Sequence, residues 1–423
     1  MSKVPPSHVQ KLATIFCGLI IFSLFTMSFL PIVSPVSIGG LFLTAVMYQV
    51  QGTKEKTEIH GKLMYLVLTG VFVVHLASGL NTEHSHRVEF FADVVQQLPF
   101  LLMPLSFALL PTWPVRYLHR LFLLFYCLVV ISALGSTSYY LLHITEINKL
   151  YSQSQIMPTV PDYIRFSLMV TFAIAIGVIF IRNNIVSTRI RWGLITGTLF
   201  LVIYLYILAV RSGLGAFNML CLLAIGWLII KRHNYKYGVL LGVVVILLPT
   251  LSFVCFPTFR NKYYNTQYDV AQASTVSSAN NLSLVGRYYS YKVGFQLARQ
   301  NPWFGVGKAD MQQEVGNFYK RDYPEIEASS YLMPHNQLLY YLIAFGSIGL
   351  FAFLFCFYYP LFAMWKQASL LLISHYIIVS LSFVAEFTLD QANQVGLIYS
   401  LFFIVLSIAS MNSERSENLV KYV

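Results

Sequence analysis

Three residues stand where long apolar runs give way to small or polar sequence. Arg211 ends one run and opens "RSGLG", Arg287 lies within "SLVGRYYSYKVGFQLARQ", and His335 opens "PHNQLLYYLIAFGSIGL". A guanidinium is a planar fork of donors that can hold two oxygens of an anion at once. An imidazole with an ordinary pKa of about 6.5 suits a general base near neutral pH. The residue types therefore point to anion binding beside proton abstraction. Gly286 before Arg287, and Gly213 and Gly215 after Arg211, allow a ligand or another helix to come close to the backbone. Arg211 has a second reading, as an anchor reaching from lipid to the interface.

Six bases (Arg260, Lys262, Arg287, Lys292, Arg299, Lys308) stand between 260 and 308 against one acid, Asp269, whereas 309–334 holds two bases against five acids. The basic half is a candidate anion site, with Arg260 and Lys292 as weaker contributors to it. Lys292 and Arg299 equally fit a helix resting on lipid headgroups.

The elements that must position these residues are membrane helices. The chain has 423 residues, 57% hydrophobic and 11% charged, with a mean hydropathy of +0.64, more apolar than a water-soluble surface can carry. With about 20 apolar residues needed to cross about 30 Å of hydrocarbon, about twelve spans are predicted: 12–30, 36–50, 63–80, 95–111, 119–142, 163–181, 192–210, 214–230, 237–256, 338–360, 367–385 and 394–411. The first lacks a small-residue cleavage site and reads as a retained span.

Sixteen bases fall on one side: Lys3, Lys11, Lys54, Lys56, Lys62, Arg116, Arg120, Arg182, Arg189, Arg191, Lys231, Arg232, Lys236, Lys366, Arg415 and Lys421. Outside one long loop, the other side has Arg87, Lys149, Arg165 and Arg211. The net charge of +11 is thus read as an orientation signal with both termini cytoplasmic, and nucleic acid is not expected as a partner.

The predicted organisation is spans one to nine over 1–256, an extracytoplasmic loop over 257–334, and three spans with a cytoplasmic tail over 335–423. Within the loop, Leu284, Tyr288, Tyr291, Phe295 and Ala298 recur at helical spacing, predicting an amphipathic helix over 283–300 that Asn301-Pro302 stops. The polar stretch 265–282 reads as mobile. The five cysteines lie in or beside apolar runs without metal-ligand spacing, which argues against both disulfides and a thiolate site. Glu83-His84-x-His86 with Glu89 reads as a solvated loop in preference to a metal centre, so neither metal nor cofactor is expected.

Three pieces in order across 211–350 resemble the O-antigen ligase and polymerase superfamily of polytopic membrane glycosyltransferases. They are Arg211 before a small-residue helix start, the Arg287 helix ending in Pro302-x-x-Gly305-x-Gly307, and His335-Asn336 followed by Gly346-x-x-Gly349. One departure is that Tyr288–Tyr291 stand where many relatives carry Trp, a conservative change. The resemblance implies an all-α, GT-C-like enzyme in a bacterial inner membrane, with its active site on the periplasmic face. It implies transfer of a glycan from undecaprenyl-diphosphate to an acceptor hydroxyl, without a metal and with inversion. It places Arg211 and Arg287 on the diphosphate and His335 on the acceptor, with Glu386 in "EFTLDQANQVG" positioning an arginine or the histidine; Glu386 reads equally as a plain helix-end carboxylate.

The reading favoured is an O-antigen ligase with a lipid A-core acceptor. A polymerase extending a growing glycan, or a protein O-oligosaccharyltransferase, shares the same motifs. A polysaccharide transporter or flippase is disfavoured, since such proteins place ionisable groups at the bilayer midplane, and His75 and His375 are the main examples here.

Overall fold

The computed structural model describes residues 6–51 and 59–421. Lys3, Lys54 and Lys56 of the predicted cytoplasmic set lie outside the described residues, as does the side chain of Lys421. Among the described residues the secondary structure is helical, with no strand. The helices are α1 (Pro6–Thr26), α2 (Val33–Val50), α3 (Ile59–Leu68), α4 (Gly70–Ala77), α5 (Arg87–Gln96), α6 (Pro99–Leu109), α7 (Val115–Leu142), α8 (Ile144–Ser152) and α9 (Tyr163–Arg182). There follow α10 (Thr188–Leu208), α11 (Arg211–Gly226), α12 (Tyr235–Cys255), α13 (Pro257–Ala271), α14 (Ser283–Gln300), α15 (Met311–Asp322), α16 (Gln337–Ala363), α17 (Leu370–Ala385) and α18 (Val395–Lys421).

Eleven described stretches are long and apolar enough to cross a membrane, two of them joining short helices end to end as Gly61–Leu80 and His84–Leu109. Each coincides with a predicted span. The twelfth, α17, is a shorter apolar helix of 16 residues, about 24 Å long at 1.5 Å per residue. The chain is an all-α polytopic membrane protein. All five cysteines are free thiols.

The helices pack as two compact units: Met1–Leu121 with Asp269–Leu372 and Phe383–Val423, and Phe122–Tyr268 with Ile373–Ser382. In the first unit, 89% of the most apolar window of α18 is buried, and α18 packs on α1, α3 and α6. A helix buried all round needs no polar face, which is why its sequence shows no amphipathic stripe over Val395–Ser410. In the second unit α9 is the most buried helix and packs on α10 and α11. Asp162 caps it, accepting from the amides of Ile164 and Arg165 and from the Arg165 guanidinium at 3.0 Å, so Arg165 serves the helix start.

Two loop expectations change. Residues 265–271 are ordered as the last turns of α13, where the side-chain amide of Asn265 donates to Tyr151 O at 2.7 Å and replaces the mobility expected from composition. The predicted helix 283–300 is α14 to the residue, but its packed face is Val285, Gly286, Tyr289, Ser290, Val293, Gly294, Leu297 and Ala298. Tyr288 and Phe295 of the predicted apolar stripe are about half exposed. Small residues define the packed face because neighbours lie almost on the helix backbone: a Cβ at Gly286 would stand 2.9 Å from Leu332 Cδ1, and one at Gly294 2.9 Å from Pro334 Cγ.

Candidate active site

Arg287, His335 and Glu386 arrive on three segments of the first unit. Arg287 lies in the first turn and a half of α14, whose Leu284 amide donates to the Asp269 carboxylate at 3.3 Å. At its other end Pro302 stops the helix, and 302–307 turns with Gly305 and Gly307 at φ +70° and +87°, a region that favours glycine. That turn plugs into a break in α16. Gly346, at φ +66°, interrupts α16, and the exposed backbone groups bond to the turn. Val306 N–H donates to Ile343 O at 2.9 Å and Gly307 N–H to Ala344 O at 3.0 Å, while the amides of Ser347 and Ile348 donate to Pro302 O and Trp303 O at 2.8 and 3.2 Å. A broken helix is tolerated in an apolar span when protein satisfies its freed groups. The Pro-x-x-Gly-x-Gly and Gly-x-x-Gly motifs are therefore two halves of one joint.

Residues 331–334 then run back across α14, over Gly286 and Gly294. Tyr331 stacks on Tyr319 at 4.6 Å, and the Tyr319 hydroxyl donates to Leu332 O at 3.3 Å. This strap delivers His335 to the start of α16, which Asn336 caps by accepting from Leu339 N–H at 3.0 Å. The Tyr291 hydroxyl is within hydrogen-bond distance of both His335 O, at 2.7 Å, and Val384 O, at 3.1 Å. It ties the strap to the end of α17, where Glu386 follows.

The three side chains meet at Glu386. Its Oε1 accepts from Arg287 Nη2 at 2.6 Å, and its Oε2 lies 2.8 Å from His335 Nδ1. The Glu386 side chain is 2% exposed, that of Arg287 26% and that of His335 21%. A buried acid thus holds a cation and an imidazole that both keep an open side. Because Nδ1 faces the carboxylate, Nε2 is the ring nitrogen left for another partner, and Arg287 retains further N–H donors. Phe387 packs edge-on to His335 at 5.4 Å and stacks on Tyr340 at 5.2 Å, closing one side with aromatic surface.

The other expected residues stand as follows. The Lys292 ammonium lies over the rings of Tyr288 and Tyr289 at 4.5 and 5.1 Å, on the exposed face of α14. Arg211 and Arg260 belong to the second unit. Arg211 is partly buried at the first residue of α11, three residues beyond the end of α10, where a helix N-terminus adds partial positive charge. Gly213 is the close helix contact there: its carbonyl accepts from Thr171 of α9 at 3.1 Å, whereas a Cβ at Gly215 would meet nothing within 4 Å. Arg260 is exposed on α13.

Near the expected His-x-His segment, Glu83, His86 and Asp310 place their ligand-type atoms within 4.8 Å of one another, without His84 or Glu89. Asp310 takes the Glu83 amide at 2.9 Å and lies 2.5 Å from His86 Nδ1, so it also ties this turn to the end of the 302–307 turn. Tyr291 and Gln337 carry no site expectation from the sequence, whereas Lys308 is one of the six bases of the expected anion site; each contacts a segment bearing a site residue. The only sequence cue was position, since Tyr291 is one helical turn after Arg287 and Gln337 two residues after His335.

Residues 196–354 match the family model described as O-antigen ligase. That span contains Arg211, Arg260, Arg287, Lys292 and His335, and ends before Glu386. No curated protein matches the chain.

Proposed function

We propose that this chain, a member of the O-antigen ligase superfamily through residues 196–354, is an O-antigen ligase that transfers a glycan from undecaprenyl-diphosphate to a lipid A-core hydroxyl. The observation that carries the proposal is Glu386 joined to both Arg287 and His335. In the proposed step, Glu386 accepts a hydrogen bond from Nδ1–H of His335, which keeps its proton there and so presents the Nε2 lone pair to the acceptor hydroxyl. The hydroxyl oxygen bonds to the anomeric carbon as the bond from that carbon to the diphosphate oxygen breaks. The hydroxyl proton passes to Nε2, and Glu386 stabilises the imidazolium. The leaving diphosphate takes the electron pair, and the donors that Arg287 does not spend on Glu386 and on the Ala385 carbonyl stabilise its charge.

A single displacement inverts the anomeric centre. The leaving group is already good, so the step calls for no metal. Arg211 is proposed as a further diphosphate-binding arginine, with Arg260 and Lys292 contributing long-range attraction. The reaction is placed on the periplasmic face of a bacterial inner membrane with both termini cytoplasmic, supported by the lopsided distribution of bases.

The test is the lipopolysaccharide pattern of a strain lacking the gene. A ligase leaves bare core and polymer accumulated on the carrier. Core bearing a single repeat would instead identify a polymerase.

A further inference from the structure

Behind the Arg287–Glu386–His335 cluster, the first unit buries a second group of charges. The Lys308 side chain is 4% exposed and that of Asp390 fully buried, and Lys308 Nζ lies 2.7 Å from Asp390 Oδ1. Asp93 Oδ1 stands 3.5 Å from the same ammonium. Asp390 Oδ2 accepts from Gln337 Nε2 at 2.6 Å, and Oδ1 accepts from Gln97 Nε2 at 3.1 Å. Gln337 uses its other side-chain atom as well, its Oε1 accepting from Leu389 N–H at 2.8 Å. His75, bonded to the Tyr341 hydroxyl at 2.9 Å, approaches Asp390 to 4.0 Å. Burial alone raises the Asp390 carboxyl, but the Lys308 ammonium and the Gln337 amide bring it below its usual value and keep it ionised.

The placement of these residues along the chain gives the group its meaning. Lys308 follows the turn that ends the Arg287 helix, Gln337 lies two residues after His335, and Asp390 four residues after Glu386. Asp390 therefore binds one residue from each of the segments carrying the other two site residues, and belongs to the segment of the third. Burying a lysine and an aspartate carries a desolvation cost that an apolar pair would avoid. What charge provides instead is register, because the path taken by the loop 386–391 satisfies both carboxylate oxygens and the Leu389 amide at once. Within that path, Gln391 Nε2 donates to Glu386 Oε2 at 3.3 Å and Gln96 Nε2 to Gln391 O at 2.8 Å.

We propose that Lys308 and Asp390 form a positioning pair that holds Glu386 in register with His335 and Arg287. The proposal rests on the function assigned above to that cluster. Neither residue meets substrate; both act through the loop. Replacing Lys308 leaves Asp390 without its cation, and replacing Asp390 leaves Lys308 with only the more distant Asp93 at 3.5 Å; either change frees the loop to shift, and a misplacement of about 1 Å can cost on the order of a hundredfold in rate.

The experiment uses the purified full chain with a lipid-linked glycan donor, and reads turnover, thermal midpoint and amide hydrogen exchange of the peptide covering 383–394. Asp390→Asn and Lys308→Met are expected to lower kcat at least about tenfold with donor KM within about twofold, and to speed exchange in 383–394 while the protein stays folded. Lys308→Arg, which keeps the charge, is expected to restore most of the turnover. If a single variant does not fold, the charge-neutral double variant Lys308→Met with Asp390→Asn is read in its place, with the same faster exchange expected. Wild-type exchange in 383–394 in the folded variants overturns the proposal, as does wild-type turnover. Exchange is independent of transfer, so it decides the positioning role even if an active His335→Ala protein were to remove the functional reading.

Discussion

His335 turns its Nδ1 to Glu386 Oε2 at 2.8 Å, and the same carboxylate binds Arg287 through its other oxygen at 2.6 Å. One buried acid thereby sets the direction of both the imidazole and the guanidinium, the base and the anion-binding group of the proposed step. A guanidinium and an imidazole placed independently would each be free to rotate. Held by a common anchor, they keep a fixed separation, and the transition state of the proposed step would call for no further reorganisation of the protein.

Glu386→Gln tests that anchor. The amide is nearly isosteric but can donate, so it no longer favours the His335 tautomer with a free Nε2 lone pair, and it loses the charge that holds Arg287. Loss of the orienting acid in a triad costs up to about ten-thousandfold. Transfer per folded protein is expected to fall at least about a hundredfold, measured with purified enzyme and lipid-linked donor. A loss under threefold would exclude the shared-anchor role.

Arg287→Lys separates charge from geometry. Lysine keeps the positive charge but is a single point donor, unable to bind Glu386 and a diphosphate oxygen with separate arms of one plane. Turnover is expected to fall below about one tenth. Activity close to wild type would show that charge alone suffices.

Tyr291→Phe removes one hydroxyl that bridges His335 O and Val384 O. Losing such a bond costs about 1 kcal/mol. A lower thermal midpoint and a several-fold drop in transfer are expected together; an unchanged midpoint would mean that the strap is held by its other contacts.

Gly346→Ala tests the joint between α16 and the 302–307 turn. The residue has φ +66°, and a Cβ there would collide with the Trp303 backbone. A destabilisation of at least about 3 kcal/mol is expected, seen as loss of folded protein in the membrane. Gly215→Ala, where a Cβ meets nothing within 4 Å, is expected to express normally.

Transfer is expected to continue in excess EDTA, because diphosphate is displaced without help from a divalent ion in the step proposed. Loss of activity that returns on adding a divalent ion would contradict this and direct attention to Glu83, His86 and Asp310.

Spans and helix α14 were legible because their signals are local. Hydrocarbon thickness sets the length of an apolar run, and Pro302 marks where α14 must stop. Arg287, His335 and Glu386 could be singled out by type and by motif, but their meeting on one carboxylate could not. Hydrophobicity ranks Tyr288 and Phe295 above Gly286 and Gly294 and so turns the wrong face of α14 inward, whereas packing against Leu332 and Pro334 requires the small residues. Both glycine motifs were visible, yet their fit into one joint depends on Gly346 breaking a helix that its apolar sequence favours. Lys308 and Asp390 lie far apart in the chain, and Lys308 looked like one base among several in a loop. A buried pair leaves no local pattern.

The most direct measurement is transfer by purified full-length protein reconstituted in vesicles with undecaprenyl-diphosphate-linked glycan and lipid A-core, comparing wild type with His335→Ala at equal folded protein. Wild type is expected to form the joined product and His335→Ala to form none above about one part in a hundred. Product formation by His335→Ala at the wild-type rate would contradict the assignment of His335 as the base and, with it, the role given to Glu386.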